Sequence, residues 1–490
     1  MNRLRTLLLV MATAVALGAL ASPASASSDQ TALFQDDRQL LQSGVEKRRQ
    51  TLDEIKALGA DAVKVSLEWA SVAPGGSSRP ANFDASDPAA YPQNNWARYD
   101  GLIADAQARG LRVLVAITAP APGWATKKRG DTRGVDRPSA AQLALFSQAV
   151  GRRYRDKIDW WTIWTEPNLP RFLYPQSRNG IPYAPHLYRA MVRGAVDGLR
   201  RSGNGHDRIL FGELLPIGRR GSKANINVKP LLFLREFFCL TSRYRAYRGS
   251  PARRRSCARY KRLTGVGGFA YHPYTRPSGP LTREPTRDDA TIRSLGRVTR
   301  VLDRARSRRR IGGGRQKIYI TEFGYQSSPP DRFQARLSRI PGFLGLAEWL
   351  AFRNRRVATW SQYTLEDDPI GLGADRFGSW QGGLKFTNGS RKPGVYNAYQ
   401  LPLYVRRTSR SGVEVWGAAR PGGAGSSIQI QQHRGGGAFV NLGNRLTVSN
   451  GRGYFRARFR LSSPTHRSYR FQFFRGSEVL TSRTAKAAAR

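Results

Sequence analysis

IDWWTIWTEPN, residues 158–168, is a run of apolar and aromatic residues that ends in Glu166 and is broken by Pro167. A second run of the same design, KIYITEFG at residues 317–324, ends in Glu322 shortly before Gly324. Such runs, bounded by a breaker, are typical of buried strands. In a barrel of parallel strands, the carboxyl ends of the strands form the active face. The sequence therefore predicts two carboxylates at one cleft, which is the arrangement that glycoside hydrolysis requires.

Around these two runs, residues 31–403 alternate between helical and strand patterns. Strand patterns recur at residues 62–69, 111–117, 158–166, 208–213, 266–271, 317–322 and 357–362, with helical patterns between most of them. Leu33 and Phe34 indicate one further strand within residues 31–42. Alternation of this kind predicts a parallel α/β sheet, and eight βα units close into a (β/α)8 TIM barrel. An open doubly wound sheet is the alternative, but no Gly-rich phosphate loop supports it.

After about residue 404 the helical periodicity ends. Short β-like runs follow at residues 413–416, 427–431, 437–440, 454–459 and 468–473, with Gly-rich turns between them. This pattern predicts a small C-terminal β-sandwich over residues 404–490, which would be an accessory module. We expect the last ten residues, from Thr481 to Arg490, to form a loose tail.

Residues 1–26 have the pattern of a secretory signal peptide. Arg3 and Arg5 supply the positive region, residues 7–20 the apolar region, and Ala24-Ser25-Ala26 the cleavage site. A membrane anchor is the alternative, but the apolar run is short for a span. We therefore expect a secreted protein, extracellular or associated with the cell envelope, with no transmembrane segment after cleavage.

The chain also has a large excess of positive charge. It contains 81 Lys and Arg against 34 Asp and Glu, a formal net charge of +47 at pH 7. Such a charge attracts polyanions, including nucleic acid, acidic polysaccharide and anionic envelope surfaces. Most of the basic residues are arginines spread along the whole chain, and a compositional bias toward arginine explains them as well as any partner does. No specific nucleic-acid partner is predicted.

The chain has two cysteines, Cys239 and Cys257. In an exported protein such a pair favours a disulfide over a metal site, with free buried thiols as the alternative. The bond would staple part of a segment, residues 243–262, that contains nine basic residues and no acid. This segment lies between the fifth and sixth strands, so we expect it on the active face. It is either a solvated insertion or a contact for an acidic glycan.

The two glutamate motifs together resemble the retaining (β/α)8-barrel glycoside hydrolases of the clan that includes cellulase-like and β-xylosidase-like enzymes. The resemblance covers about residues 31–403. In that clan the acid/base glutamate ends strand four and the nucleophile ends strand seven, and Glu166 and Glu322 occupy these places in the predicted strand count. The chain departs from the clan at Thr165, where the clan usually has Asn, and at Lys64, where it usually has Arg.

The resemblance and the positions at strand ends together suggest a set of residues that contact the substrate. His272 and Tyr274 match a His and a Tyr that clan members often have near the nucleophile, and Trp360 matches a tryptophan that lies under the bound sugar. We expect Tyr274 to hydrogen-bond the Glu322 carboxylate. The full set of expected substrate-binding residues is Lys64, Trp69, Thr165, Asn168, His272, Tyr274 and Trp360.

These observations predict an exported retaining hydrolase of O-glycosyl bonds in polysaccharides or oligosaccharides. Glu166 would be the acid/base and Glu322 the nucleophile. A β-linked substrate follows from the resemblance alone, and the basic segment favours an acidic polymer over neutral cellulose. No cluster of His, Cys and Asp has metal-ligand spacing, so neither a metal nor another cofactor is expected. The alternative is a non-catalytic secreted barrel that binds glycans or anionic envelope polymers.

Overall fold

The computed structural model describes residues 27–128, 131–370, 379–435 and 437–488. The predicted signal peptide, residues 1–26, therefore lies outside the described residues. Eight parallel strands close into a barrel, each hydrogen-bonded to the next and the last to the first, so the expected strand at Leu33 and Phe34 exists. The strands are β1 Thr31–Gln35, β2 Ala62–Glu68, β3 Arg112–Thr118, β4 Trp160–Ile163, β5 Arg208–Leu214, β6 Gly268–Tyr271, β7 Ile318–Ile320 and β8 Val357–Tyr363.

Helices lie between successive strands and cover the outside of the barrel. They are α1 Asp37–Leu41, α2 Val45–Ala57, α3 Trp69–Val72, α4 Gln93–Ala108, α5 Ala140–Arg153, α6 Ala184–Arg201, α7 Pro230–Phe237, α8 Gly249–Arg254, α9 Leu295–Ser307, α10 Ile340–Phe352 and α11 Val395–Gln400. None of the helices in these described ranges is both long and apolar enough to cross a membrane.

One layer of side chains closes the barrel interior beneath the strand ends. Seven buried residues form it, one from each of the first seven strands: Leu33, Ala62, Leu114, Trp160, Leu210, Ala270 and Tyr319. Trp160 and Tyr319 are the largest of them, and their rings meet edge to face at 5.9 Å. Side chains alternate sides along a strand, so residues two positions further along point into the barrel above this layer. Lys64 is such a residue, two positions after Ala62.

Two antiparallel sheets follow the barrel. The first contains β9 Leu403–Arg407, β10 Gly412–Ala418 and β14 Tyr454–Arg460, and the second contains β11 Ser427–Arg434, β12 Val440–Asn441, β13 Leu446–Thr447, β15 Arg467–Arg475, β16 Glu478–Thr481 and β17 Ala485–Lys486. Both contribute to one hydrophobic core, with Val415 from the first sheet and Ile430 and Phe471 from the second. A β-sandwich therefore follows the TIM barrel, as predicted.

The expectation of a loose C-terminal tail from Thr481 onward is wrong for the residues that the structure describes. β16 and β17 both pair with β15, and Ala488 forms a bridge to Arg406 of the other sheet. The backbone N–H of Phe471 donates to Ser482 Oγ at 2.9 Å, and Ala485 is buried. The sequence has only weak β-like periodicity here, and the pairing comes from a long neighbouring strand.

The sandwich packs against α10 of the barrel. Trp349 and Phe352 of α10 form a hydrophobic cluster with Trp416 and Tyr454 of the first sheet. At the same interface Glu348 is almost completely buried and forms an ion pair with Arg420. The Tyr454 hydroxyl also donates to Glu348 Oε1 at 2.8 Å. The contact is thus apolar with a buried, hydrogen-bonded charge pair, as in the interior of a domain.

The basic segment, residues 243–262, lies at the amino-terminal end of the barrel, so its expected place on the active face is wrong. The chain leaves β5 at the carboxyl end, runs back along α7, and only then enters this segment. Leu263, directly after the segment, bridges to Ile311, which precedes β7, and Gly267 N donates to Ile209 O near the start of β5 at 2.7 Å. The sequence patterns did not predict α7. Because the chain runs back along this helix, the segment begins at the amino-terminal end of the barrel and not at the active face.

Candidate active site

A cleft of about 800 Å³ opens at the carboxyl ends of the barrel strands. Glu166, just after β4, and Glu322, just after β7, both line it. One carboxylate oxygen of each and a ring nitrogen of His272 lie within 4.8 Å of one another. The two predicted glutamates therefore meet at one point of the cleft, although they come from strands on different sides of the barrel.

Three residues at the ends of β4 and β5 have a strained backbone conformation. Trp164, Glu166 and Glu213 have φ values of 65°, 39° and 49°, the left-handed region that residues with a side chain rarely adopt. Such a conformation costs about 1–3 kcal/mol per residue and is often found at functional sites. The two strand ends support each other, because Glu166 N donates to Glu213 O at 3.1 Å.

Gly212 allows β5 to present Glu213 to the centre of the barrel. The register between β5 and β6 shifts between Gly212 and Leu214, which is a bulge that re-aims the intervening residue. Gly212 has φ of 122°, and a Cβ at this position would lie 2.4 Å from Ala270 O. Only glycine fits this position, so the orientation of Glu213 depends on it.

Lys64 lies beneath the cleft and joins two of its carboxylates. It is fully buried, and its Nζ lies 3.0 Å from Glu213 Oε2 and 3.1 Å from Glu322 Oε1. Burial alone would favour the neutral amine, but the two carboxylates outweigh burial and raise the pKa of Lys64 above its usual range. The expected contact between Lys64 and the sugar is therefore wrong. Lys64 holds Glu322 in position from below.

His272, at the end of β6, connects the two glutamates. Its Nδ1 lies 3.0 Å from Glu166 Oε1 and 3.4 Å from Glu322 Oε2. Its Nε2 lies 3.8 Å from Glu213, which is too far for a hydrogen bond but close enough for charge attraction. Burial favours the neutral ring, but the surrounding carboxylates outweigh burial and raise the pKa of His272 to about 9. The imidazole is therefore positively charged at neutral pH.

Thr165 and Tyr274 complete the contacts around the carboxylates. Thr165 Oγ1 donates to Glu213 Oε2 at 3.0 Å, so its hydroxyl is used within the protein, although the residue also lines the cleft. Tyr274 OH donates to Glu322 Oε2 at 3.1 Å, the hydrogen bond expected from the sequence. Burial raises the pKa of Tyr274 well above its usual value, so the phenol stays protonated as a donor.

The surroundings of Glu213 and Glu166 shift their pKa values in opposite directions. Burial favours the neutral form of Glu213, but Lys64 and His272 outweigh burial and lower its pKa to about 2. Burial raises the pKa of Glu166, and the hydrogen bond and charge of His272 offset this only in part. Of these two glutamates, Glu166 is therefore the one whose surroundings favour the protonated form, as a proton donor requires.

Five of the seven expected substrate-binding residues do not line the cleft, and for them the expected contact with the sugar is wrong. Lys64 and His272 are fully buried behind the carboxylates. The other three are Trp69, Trp360 and Asn168. Trp69 is fully buried and stacks on Phe146 at 5.3 Å, outside the barrel. Trp360 is 2% exposed and packs against Phe323 at 4.9 Å. Asn168 is fully buried, and its amide bonds the backbone that follows β5. Position along a strand did not show on which side of the backbone these side chains lie.

The cleft contains further residues outside the set of seven expected to bind the substrate. Trp380 lines it, with its indole N–H bonded to Tyr363 O at 3.0 Å and its ring edge-on to Tyr274 at 5.3 Å. Glu68 and Asp37 line the wall beside β2, and burial raises the pKa of both. Glu68 lies at the end of β2, a place that matches those of the two central glutamates.

The three closest groups would also be within reach of a single metal ion. Glu166, His272 and Glu322 are one such set, and a second set consists of His186 with Cys239 and Cys257. In the second set the two cysteines are joined in the expected disulfide, with an S–S distance of 1.97 Å, so their thiolates are not free to bind a metal. In the first set, His272 Nδ1 lies 3.0 Å from Glu166 Oε1, so the ring nitrogen that faces the glutamates already has a partner within the protein.

No family model and no curated protein matches the chain. Among solved structures, it is similar to the family 1 β-glucosidase from Thermotoga maritima, with 16% identity, a TM-score of 0.45, and coverage of 72% of this chain and 85% of that chain. It is also similar to GH5_18 from Streptomyces cattleya in complex with GlcNAc, with 15% identity, a TM-score of 0.49, and coverage of 76% and 80%. A GH5_18 protein from Bifidobacterium longum in complex with Manb1-4GlcNAc has 11% identity, a TM-score of 0.47, and coverage of 76% of both chains. At these identities and TM-scores the likenesses concern the barrel and assign no activity to the chain.

Proposed function

We propose that this protein is a retaining glycoside hydrolase that cleaves O-glycosidic bonds in polysaccharides or oligosaccharides. The observation that supports this most is the approach of Glu166 and Glu322, whose nearest oxygens lie within 4.8 Å in the cleft. Retaining enzymes hold their two carboxyls about 5–5.5 Å apart, whereas inverting enzymes need about 6.5–9.5 Å to admit a water. The short separation supports the retaining arrangement, in which Glu322 itself would attack the substrate.

In the first step Glu166 acts as the acid. Its Oε1 accepts from His272 Nδ1 at 3.0 Å, which leaves Oε2 to donate its proton to the glycosidic oxygen. A Glu322 oxygen attacks C1, the bond from C1 to the glycosidic oxygen breaks, and the leaving sugar departs as an alcohol. Lys64 and Tyr274, each bonded to one oxygen of Glu322, hold the carboxylate in place during the attack.

In the second step Glu166 acts as the base. It takes a proton from a water molecule, whose oxygen attacks C1 of the glycosyl ester on Glu322. The ester bond breaks, and the sugar leaves with its original anomeric configuration. The positive His272 beside Glu166 stabilises the carboxylate that exists between the two steps.

We propose a neutral or amino-bearing glycan as the substrate, because the cleft does not share the positive charge of the chain. Six acidic residues line it, against three arginines, Arg38, Arg98 and Arg171. Arg38 is already paired with Asp368 at 3.2 Å. The acidic-substrate expectation came from the basic segment, which lies at the other end of the barrel. Trp380, whose ring is half-buried at the cleft wall, offers a flat surface on which a sugar ring can stack.

We also propose that the protein acts outside the cytoplasm, after cleavage behind Ala26. The pattern of residues 1–26 supports export. The disulfide between Cys239 and Cys257 fits an oxidising compartment, because such bonds are rare where thiols are kept reduced. An N-terminal sequence of the protein recovered from culture medium would begin at Ser27 if this is right.

The proposed chemistry is tested with Glu322→Ala and Glu166→Ala on aryl glycosides and on neutral, amino-bearing and uronic oligosaccharides. Glu322→Ala should lower kcat by at least about a thousandfold, because the nucleophile is lost. Glu166→Ala should lose about a hundredfold or more on poor leaving groups, and azide should restore its rate on an activated substrate. Glu46→Gln, an exposed carboxyl on α2, is the control and should behave as the wild type.

Two outcomes would contradict the proposal. If Glu322→Ala keeps the wild-type rate on a substrate that the wild type cleaves, Glu322 is not the nucleophile. If the wild type binds glycans but releases no reducing ends from any polymer, the protein is a non-catalytic glycan-binding barrel. Product anomers followed by NMR decide between retention and inversion.

A further inference from the structure

A second open groove, of about 830 Å³, lies at the amino-terminal end of the barrel, away from the cleft. We call it the basic groove. The residues that line it are Thr241, Ser242, Arg243, Arg245, Ala246, Arg248, Arg308 and Arg310. The first six belong to the chain after α7, and the last two lie between α9 and β7. Five of its eight lining residues are thus arginines, and none is acidic.

The arginines of the basic groove have no carboxylate partner among the described residues. Arg243, Arg245, Arg248 and Arg308 are all exposed, and none of them forms an ion pair within the described ranges. Elsewhere arginines pair with acids, as Arg235 does with Asp288 at 2.8 Å and Arg356 with Asp303 at 3.0 Å.

Another surface hollow, beside the starts of β4 and β5, has a mixed charge pattern. It is lined by Arg155 and Lys157 together with three aspartates, Asp156, Asp159 and Asp207. A bias toward arginine in the composition accounts for many arginines but not for the exclusion of acids from one groove. Several like charges around one concavity repel one another, and an anion in the groove would relieve that repulsion.

A disulfide and hydrogen bonds hold the backbone on both sides of the basic groove. The disulfide between Cys239 and Cys257 closes the segment that supplies one wall. Tyr260 OH donates to Arg310 O at 2.8 Å, and Leu263 N donates to the same oxygen at 3.0 Å, which joins that segment to the other wall. The Arg310 guanidinium lies over the Tyr260 ring at 4.6 Å. These contacts fix the backbone of both walls, so the arginine side chains extend from a braced frame.

We propose that the basic groove binds an anionic polysaccharide and retains the protein on it, while the cleft at the opposite end stays free. Guanidinium groups bind carboxylate and sulfate groups through paired hydrogen bonds, which suits a polymer that repeats such groups. The groove is open, so a chain can pass through it without an end being threaded. The choice of a polysaccharide over another polyanion rests on the proposed function, whereas the anion site rests on the groove alone.

The test is binding of polygalacturonate and heparin by the full chain that bears Glu322→Ala, so that hydrolysis cannot change the probe. In this background Arg243→Gln, Arg245→Gln and Arg248→Gln are combined and compared with a matched triple variant. The matched variant is Arg434→Gln, Arg445→Gln and Arg460→Gln, which removes the same charge from exposed positions scattered over the C-terminal sheets. Neutral dextran is the negative control.

We expect the groove variant to weaken binding of the anionic probes by at least about tenfold at low salt, and its salt dependence to be shallower. The matched variant should change binding less than about twofold. With Glu322 restored, the groove variant should keep the wild-type kcat on a small aryl glycoside. If the wild type proves inactive but the groove variant still loses binding, the proposed function fails and the anion site stands.

Equal losses in the two triple variants would overturn the inference, because net charge would then explain the binding. Tighter binding of duplex DNA than of either polysaccharide at 0.15 M salt would also overturn it in favour of a nucleic-acid site. Binding of dextran as strong as that of heparin would show that charge is not involved.

Discussion

Replacing Lys64 by methionine removes one buried charge from the centre of the site and keeps the side-chain length. Lys64 is fully buried, and its Nζ lies within 3.1 Å of oxygens of both Glu213 and Glu322. After the change, two buried carboxylates share only His272 as a cation. The apolar barrel layer that contains Leu33 lies beneath position 64 and contains no cation to replace the ammonium.

The expected loss follows from this geometry. Breaking a buried ion pair by removing one partner destabilises a protein by about 3–5 kcal/mol, because the other charge stays buried. Since domains are stable by only about 5–15 kcal/mol, Lys64→Met should still fold but with much of its stability lost. In the double variant Lys64→Met with Glu213→Gln, one positive and one negative charge are removed together, so the net charge of the cluster is that of the wild type. That variant should recover at least about 1 kcal/mol relative to the sum of the two single changes.

Urea unfolding followed by circular dichroism measures the stability, and an aryl glycoside measures the rate. Because Glu322 loses a charged hydrogen bond worth about 1.5–3 kcal/mol, kcat should fall by about tenfold to a hundredfold at pH 7. Two results would refute the reasoning: an unfolding midpoint equal to that of the wild type, or additive losses in the double variant. Either would mean that Lys64 and the carboxylates are not coupled as the distances indicate.

The other predictions concern pH and the disulfide. His272 has a folded pKa of about 9, above the usual 6.5, so its charge contributes about 3 kcal/mol of stability that is fully present below pH 6.5 and is lost as the pH rises through 9. Urea midpoints measured from pH 6 to pH 10 should fall over this range in the wild type and stay nearly flat in His272→Gln; a wild type without the fall contradicts a charged His272. Replacing Cys239 and Cys257 by serine opens a loop with a sequence separation of 18 and should cost about 3 kcal/mol in thermal or urea unfolding. Below the unfolding transition this double variant should keep kcat on an aryl glycoside, because the pair lies at the end of the barrel opposite the cleft, and a large loss of kcat would place the disulfide near the chemistry.

The barrel and its two central glutamates could be predicted because their signals are local. The run before Glu166 and the run before Glu322 are both strongly β-forming, and a parallel barrel places all strand ends at one face. Counting strands then set their positions without any knowledge of side-chain packing. The first strand has only a short apolar signal at Leu33 and Phe34, but it could be predicted because eight strands are needed to close the barrel.

The contacts within the site could not be predicted in the same way. Lys64, Glu213 and His272 meet because β2, β5 and β6 converge on the barrel axis, and the bulge at Gly212 turns Glu213 inward. No pattern in one strand shows which residues of other strands it will face. Trp360 shows the same limit, since an aromatic residue near a strand end can pack in the core as well as face the cleft.

The way in which the sandwich is attached has a consequence for protein engineering. Glu348 belongs to the barrel, but its ion-pair partner Arg420 and its tyrosine donor Tyr454 belong to the sandwich. A barrel cut off at α11 would expose Trp349 and Phe352 to water and leave a carboxylate without its cation. The barrel and the sandwich therefore form one structural unit, and an exchange of the C-terminal sheets for another domain would succeed only if the new domain brings its own arginine and aromatic surface to α10.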